Sequence, residues 1–219
     1  LEQCCLTDAG VSHVFKSIFT NAKRLRSLEI RLAETKISDS SLRLLNTYMP
    51  QLWVSLAHFN MDLYGTKVSD SVIQEFSQTL QNVALNMKKF ALSLSQTGIT
   101  DQSITMLSNE LISSFPLLQE FELYLCNTKV SDSGLEQLYI ALQKFLPNLQ
   151  ALSLNLGHLA LLSEKSFETL SQSFLSEMKY LQKLELYCYN TNLQDQHFQS
   201  ILEAIDKIET VELNFDSTL

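Results

Sequence analysis

The sequence predicts an α/β solenoid: a horseshoe of about seven strand-turn-helix repeats of roughly 31 residues, with a parallel sheet on its concave side. Three observations predict it. The hexapeptide TKVSDS stands at residues 66–71 and again at 128–133, with TKISDS at 35–40. The aliphatic residue inside it aligns with Leu6, Ile37, Val68, Ile99, Val130, Leu162 and Leu193, in steps of 31, 31, 31, 31, 32 and 31 residues. Alternating apolar segments and stripes of helical spacing recur with the same period.

The strands come first in each unit: LEIRL at 28–32, FNMDL at 59–63, FALSL at 90–94, FELYL at 121–125, LSLNL at 152–156, LELYC at 184–188 and VELNF at 211–215. Period-two alternation over five residues is that of a half-buried strand. Leu25, Leu56, Met87, Leu118, Leu149, Leu181 and Ile208 stand three places ahead of each, so the unit begins LxxLxL.

The turns follow. Thr35, Thr66, Thr97, Thr128 and Thr191 form a column whose hydroxyls are expected to satisfy backbone groups of a buried turn. The plain alternative is that threonine is tolerated in an extended turn. The unit at 152–183 departs from the pattern, with HLALLSEK in place of the Thr turn and one inserted residue.

Ser or Thr followed by Asp comes next, at Thr7–Asp8, Ser38–Asp39, Ser69–Asp70, Thr100–Asp101 and Ser131–Asp132. This pair supplies a helix N-cap and a negative charge at the positive end of the dipole. Apolar residues then recur as one buried stripe: Leu42, Leu45, Met49; Ile73, Phe76, Leu80; Ile104, Leu107, Leu111; Leu135, Leu138, Leu142; Phe167, Leu170, Phe174; Phe198, Ile201, Ile205. Each helix returns the chain, so successive strands lie parallel. Strands stack about 4.8 Å apart and helices need about 10 Å, which puts the sheet on the inside of the arc.

The motif LxxLxLxx(N/C)xLxDxG, clearest in LQEFELYLCNTKVSDSGLEQL at 118–138, resembles the leucine-rich repeat of the long, ribonuclease-inhibitor-like type, over essentially all 219 residues. The family's Asn or Cys position holds Ala33, Tyr64, Ser95, Cys126, Gly157 and Tyr189, so no standard asparagine ladder is expected. The resemblance implies a single repeat domain spanning 1–219 that recognises a protein and has no catalytic residues, cofactor or metal. Long repeats of this kind also resemble those of cytoskeletal and ciliary proteins. A regulatory or targeting arm is the other role the family offers: GTPase activator, ubiquitin-ligase substrate receptor, or partner of a kinase outside this segment. Leu1 aligns with the last strand residue of a preceding unit and neither end has a polar cap, which predicts a slice of a longer chain or edges covered by another chain.

Composition narrows the partners. A net charge of −8 argues against nucleic acid bound through phosphate neutralisation, which needs clustered Lys and Arg. No apolar run approaches the roughly 18 residues that insert in a membrane. Cys4, Cys5, Cys126 and Cys188 form no CxxC pair and no N-x-S/T sequon is present, which leans to a reducing, cytoplasmic setting. Cys126 and Cys188 lie two repeats apart, about 9–10 Å at strand spacing, beyond the ~7 Å reach of a disulfide, so free thiols are expected. His13, His58, His158 and His197 fall in different units, and no GxSxG, HExxH or GxxxxGK[ST] occurs.

Outward strand positions form two columns. One is Glu29, Asn60, Ala91, Glu122, Ser153, Glu185 and Glu212; the other is Arg31, Asp62, Ser93, Tyr124, Asn155, Tyr187 and Asn214. Within them Glu122, Tyr124, Asn155, Glu185 and Tyr187, with Glu29, Arg31 and Asp62 further along, are the candidate contact residues. Tyrosines flanked by acids suit a basic segment of a protein partner. The competing reading is that polar side chains keep the sheet soluble and tyrosine follows strand propensity.

Overall fold

The computed structural model describes residues 7–21, 24–50, 54–81 and 84–216. Leu1, Cys4, Cys5 and Leu6 lie outside the described residues. The elements alternate: α1 (Asp8–Asn21), β1 (Ser27–Arg31), α2 (Asp39–Tyr48), β2 (His58–Asp62), α3 (Asp70–Leu80) and β3 (Lys89–Ser93). They continue with α4 (Asp101–Met106), β4 (Glu120–Tyr124), α5 (Asp132–Phe145), β5 (Ala151–Asn155), α6 (Glu164–Glu168), β6 (Lys183–Tyr187), α7 (Asp195–Ala204) and β7 (Thr210–Asn214).

The seven strands form one parallel sheet in sequence order. Equivalent residues pair: Leu28 with Phe59, Phe59 with Phe90, and so on to Leu184 with Val211. Each strand begins and ends one residue earlier than the alternation predicts, because the pairing starts at the polar residue ahead of the first apolar one. The pattern of facing holds. Phe59, Met61, Leu63, Phe90, Leu92 and Leu94 are buried against the helices.

The helix stripe is buried at every predicted position except Phe198, which is 37% exposed. Val211 on the outermost strand is exposed to the same degree. Two helices do not stay α-helical throughout. After α4 the chain widens into a π turn at Leu107–Leu111 and tightens at Ile112–Ser114, and after α6 it does the same at Thr169–Phe174 and Leu175–Glu177.

Backbone hydrogen bonds between repeats carry the sheet past its last strand residue. Leu32, Leu63, Leu94 and Leu125 donate to Asp62, Ser93, Tyr124 and Asn155 carbonyls at 2.8–3.0 Å. Two residues on, Glu34, Gly65, Gln96, Asn127, His158 and Asn190 all take positive φ, between 52° and 66°, and their N–H groups donate to the next repeat. This left-handed column was not anticipated, though its glycine and asparagines carry the signal. Each threonine hydroxyl donates to the carbonyl three residues back: Thr35 to Leu32, Thr66 to Leu63, Thr97 to Leu94, Thr128 to Leu125 and Thr191 to Cys188, at 2.6–2.8 Å. These bonds stay inside one repeat. In the irregular unit Leu159 takes the threonine's place and is fully buried.

The aspartates at the helix starts do more than complement a dipole. Each reaches the cap of the following repeat. Asp39 accepts the Ser69 N–H at 2.8 Å and hydroxyl at 2.6 Å, and Asp101 accepts both from Ser131. Ser38, Thr100, Ser131 and Ser163 also accept an N–H of their own helix, whereas Ser69 makes no such cap bond. A close third donor, three residues past the cap, joins at alternate junctions: Ser41 to Asp8, Ser103 to Asp70 and Ser166 to Asp132; at Asp39 a more distant hydroxyl, that of Ser71, stands at 3.3 Å. TKVSDS recurs because each copy builds both halves of this clasp.

Candidate functional site

The strands hold two outward columns over the solvent face, and from β3 to β6 they alternate in bulk. β3 and β5 present small residues, and the small column members Ala91 and Ser153, expected to be exposed, are buried beneath longer neighbours. β4 and β6 present the tyrosines and glutamates, which stand half-buried above them.

The glutamates are not free for a partner. Lys89 spans Glu120 at 3.0 Å and Glu122 at 2.5 Å, and Lys183 pairs with Glu185 at 2.6 Å. Burial opposes the Lys89 charge, yet the hydrogen bonds to Glu122 and Glu120 outweigh it and raise its pKa. The Lys183 hydrogen bond holds the Glu185 carboxyl below its usual range against the opposing effect of burial. The sequence reading therefore needs adjustment: the acid-flanked tyrosines lie in a neutralised network rather than in an open acidic patch.

The predicted residues are only partly brought together. Tyr124 donates to Glu122 at 3.0 Å, and Ser153 donates to Tyr124 at a longer 3.4 Å. Burial, with the Glu122 charge adding to it, pushes the Tyr124 hydroxyl up to about 12. Tyr187 bonds not to Glu185 but to Glu212, at 2.8 Å. Asn155 lies between the two tyrosines in register and accepts the Gly157 N–H at 3.0 Å. Glu29 and Arg31 lie on β1, away from that group, while Asp62 on β2 shares a cleft with Tyr124 and Asn155. Arg31 pairs with Glu29 at 2.6 Å, and Asp62 accepts the Tyr64 N–H at 3.0 Å.

Beyond the strand ends lies a shallow cleft of about 340 Å³, lined by Asp62, Tyr64, Ser93, Ser95, Tyr124 and Tyr189 among others. Asp62, Tyr124 and Asn155 are among the predicted contact residues, whereas Tyr64, Ser95, Cys126 and Tyr189 come from the column where the family keeps Asn or Cys and were assigned no contact role by the sequence pattern. Tyr189 reaches back over Gly157, where a Cβ would meet its ring at 2.5 Å, and donates to the Cys126 sulfur at 3.3 Å. Cys126 and Cys188 are buried free thiols.

The histidines remain apart. His58 and His158 are exposed, while His197 is buried and its Nδ1 accepts the Gln194 N–H at the start of α7. Among the described residues, no group of three or more His, Cys, Asp or Glu is placed to hold a metal ion, and no helix is long and apolar enough to cross a membrane.

No family model matches this chain, and no curated protein matches it. Solved structures do. The actin-binding site 2 domain of leiomodin-1 superposes with a TM-score of 0.54 at 14% identity, covering 76% of this chain and 86% of that one. The tropomodulin C-terminal domain of Caenorhabditis elegans gives 0.51 at 14% identity, covering 90% and 92%. These likenesses, with seven ordered parallel strands joined in succession by helices, define a leucine-rich-repeat solenoid of the long, helix-containing type.

Proposed function

We propose that this solenoid is a non-catalytic protein-binding scaffold whose sheet face receives a partner, and that it serves a cytoskeletal assembly in the cytoplasm. The observation that carries the reading is the sheet face itself. It is a rigid polar surface on which Tyr124 and Tyr187 stand half-exposed, each oriented by a hydrogen bond to a glutamate. Pre-oriented amphipathic rings lose little entropy on binding and are favoured interface anchors. A cytoskeletal setting is supported by one similar domain being named for an actin-binding site, which makes actin the first partner to try.

The test is co-sedimentation with actin filaments and capture of monomeric actin, with the double variant Tyr124→Ala, Tyr187→Ala beside the parent chain. Binding by the parent and its loss in a variant that keeps its circular dichroism supports the reading. Equal binding by both moves the interface to the helices or the ends of the stack.

A further inference from the structure

We infer that the cleft at the third repeat is a receptor for a basic side chain, an arginine above all, presented by the protein partner; this rests on the scaffold reading above. Three features place it. The floor is Ser93 and Ser95, small residues that leave a depression between the larger side chains of the second and fourth repeats. The walls are phenol rings: Tyr64 on one side, Tyr124 and Tyr189 on the other. Tyr189 is held in place by Asn155 and Cys126 and by its seat over Gly157. The rim carries Asp62 and Glu34, and no lysine, arginine or histidine lines the cleft.

The charge balance on the same face selects the occupant. Elsewhere on the sheet the chain supplies its own cations: Lys89 between Glu120 and Glu122, Lys183 on Glu185, Arg31 on Glu29. Arg31 is the register partner of Asp62, but its guanidinium turns to Glu29. Among the described residues the Asp62 carboxylate accepts only the backbone N–H of Tyr64, and Glu34 makes no side-chain hydrogen bond or ion pair. Two carboxylates and three phenol rings lining one cleft suit a planar cation, which can stack on a ring while its N–H fork meets a carboxylate. A neutral or acidic side chain gains neither contact.

The experiment titrates N-acetyl-arginine-N-methylamide into the full chain at low salt, with the blocked citrulline analogue as the uncharged isostere, and follows tyrosine ring resonances by NMR. Saturable shifts of Tyr64, Tyr124 and Tyr189 with arginine but not citrulline are expected. Asp62→Asn should weaken binding about tenfold while leaving the thermal midpoint in place, since an asparagine Oδ1 still accepts the Tyr64 N–H. Tyr64→Ala should weaken it similarly, and Tyr187→Ala, outside the cleft, should not. Equal shifts with citrulline, no saturable shift, or an Asp62→Asn chain that binds as the parent does would each overturn the inference. Partner capture lost in Tyr187→Ala alongside a failed arginine titration retains the scaffold and discards the cleft. Arginine binding that survives while no tyrosine variant alters capture retains the cleft and discards the proposed interface.

Discussion

The junctions between repeats are of two kinds. Where α1 meets α2, α3 meets α4 and α5 meets α6, the aspartate receives the cap N–H, the cap hydroxyl and a further serine hydroxyl. Asp70 adds the Ser103 N–H at 3.2 Å. Where α2 meets α3 and α4 meets α5, that further serine is replaced by Val72 and Gly134: Asp39 gains only a longer contact from the Ser71 hydroxyl at 3.3 Å beside its two cap donors, and Asp101 has the two cap donors alone among the described residues. The two identical hexapeptides supply the cap donors at these plainer junctions. The same alternation marks the sheet face, where small residues on β3 and β5 stand between bulkier ones. Through the middle of the stack the pattern therefore recurs over pairs of repeats, and the cleft opens where a small repeat lies between two larger ones.

Removing the carboxylates tests the difference most strongly. Asp70→Ala strands a full set of donors at a three-point junction and should cost about 3 kcal/mol, against about 1–2 kcal/mol for Asp101→Ala, read from urea midpoints at constant slope. Equal losses would mean that the third hydroxyl adds nothing.

Gly134→Ala probes the plainer junction from the other side. Its Cβ would stand 2.5 Å from Asp101 Oδ1 and 3.1 Å from Val130 Cγ1, so the carboxylate must leave its cap, at a cost of about 1–2 kcal/mol. Ser103→Ala at the neighbouring junction removes one hydroxyl and should cost about 1 kcal/mol. A neutral Gly134→Ala would show that the Asp101 clasp is loose.

Acid sharpens the comparison by a smaller margin. Burial opposes the Asp132 charge, but hydrogen bonds from Ser163 and Ser166 outweigh it and lower the carboxyl pKa; Ser41 and Ser38 do the same for Asp8. A carboxyl whose pKa is lower in the folded chain stabilises above the unfolded value near 3.8, and that stability is lost as pH falls through the folded value. Denaturation followed from about pH 5 to pH 2 should therefore show declining stability, with a shallower decline in Asp132→Asn. An unchanged slope would remove Asp132 from the account.

Much of this architecture is legible without coordinates. LEIRL, FNMDL and FALSL lie side by side as their alternation implies, and the LxxLxL leader and helix stripes find the core. The Ser–Asp pairs mark helix starts, yet nothing local shows that each aspartate serves the next cap, about thirty residues on. The candidate site is less legible. Glu122 and Tyr124 meet as neighbours on one strand face, but Lys89 neutralises that glutamate from the adjacent strand, and Tyr187 turns to Glu212 instead of Glu185.

Period, element order and the inward face follow from the sequence alone, because alternation and helical spacing are properties of neighbouring residues and repeat unchanged along the chain. The clasps, the ion pairs and the cleft belong to the tertiary structure. They join side chains a whole repeat apart, and only the stacking register, with each side chain's competition for hydrogen bonds and room, selects which of several reachable partners it takes.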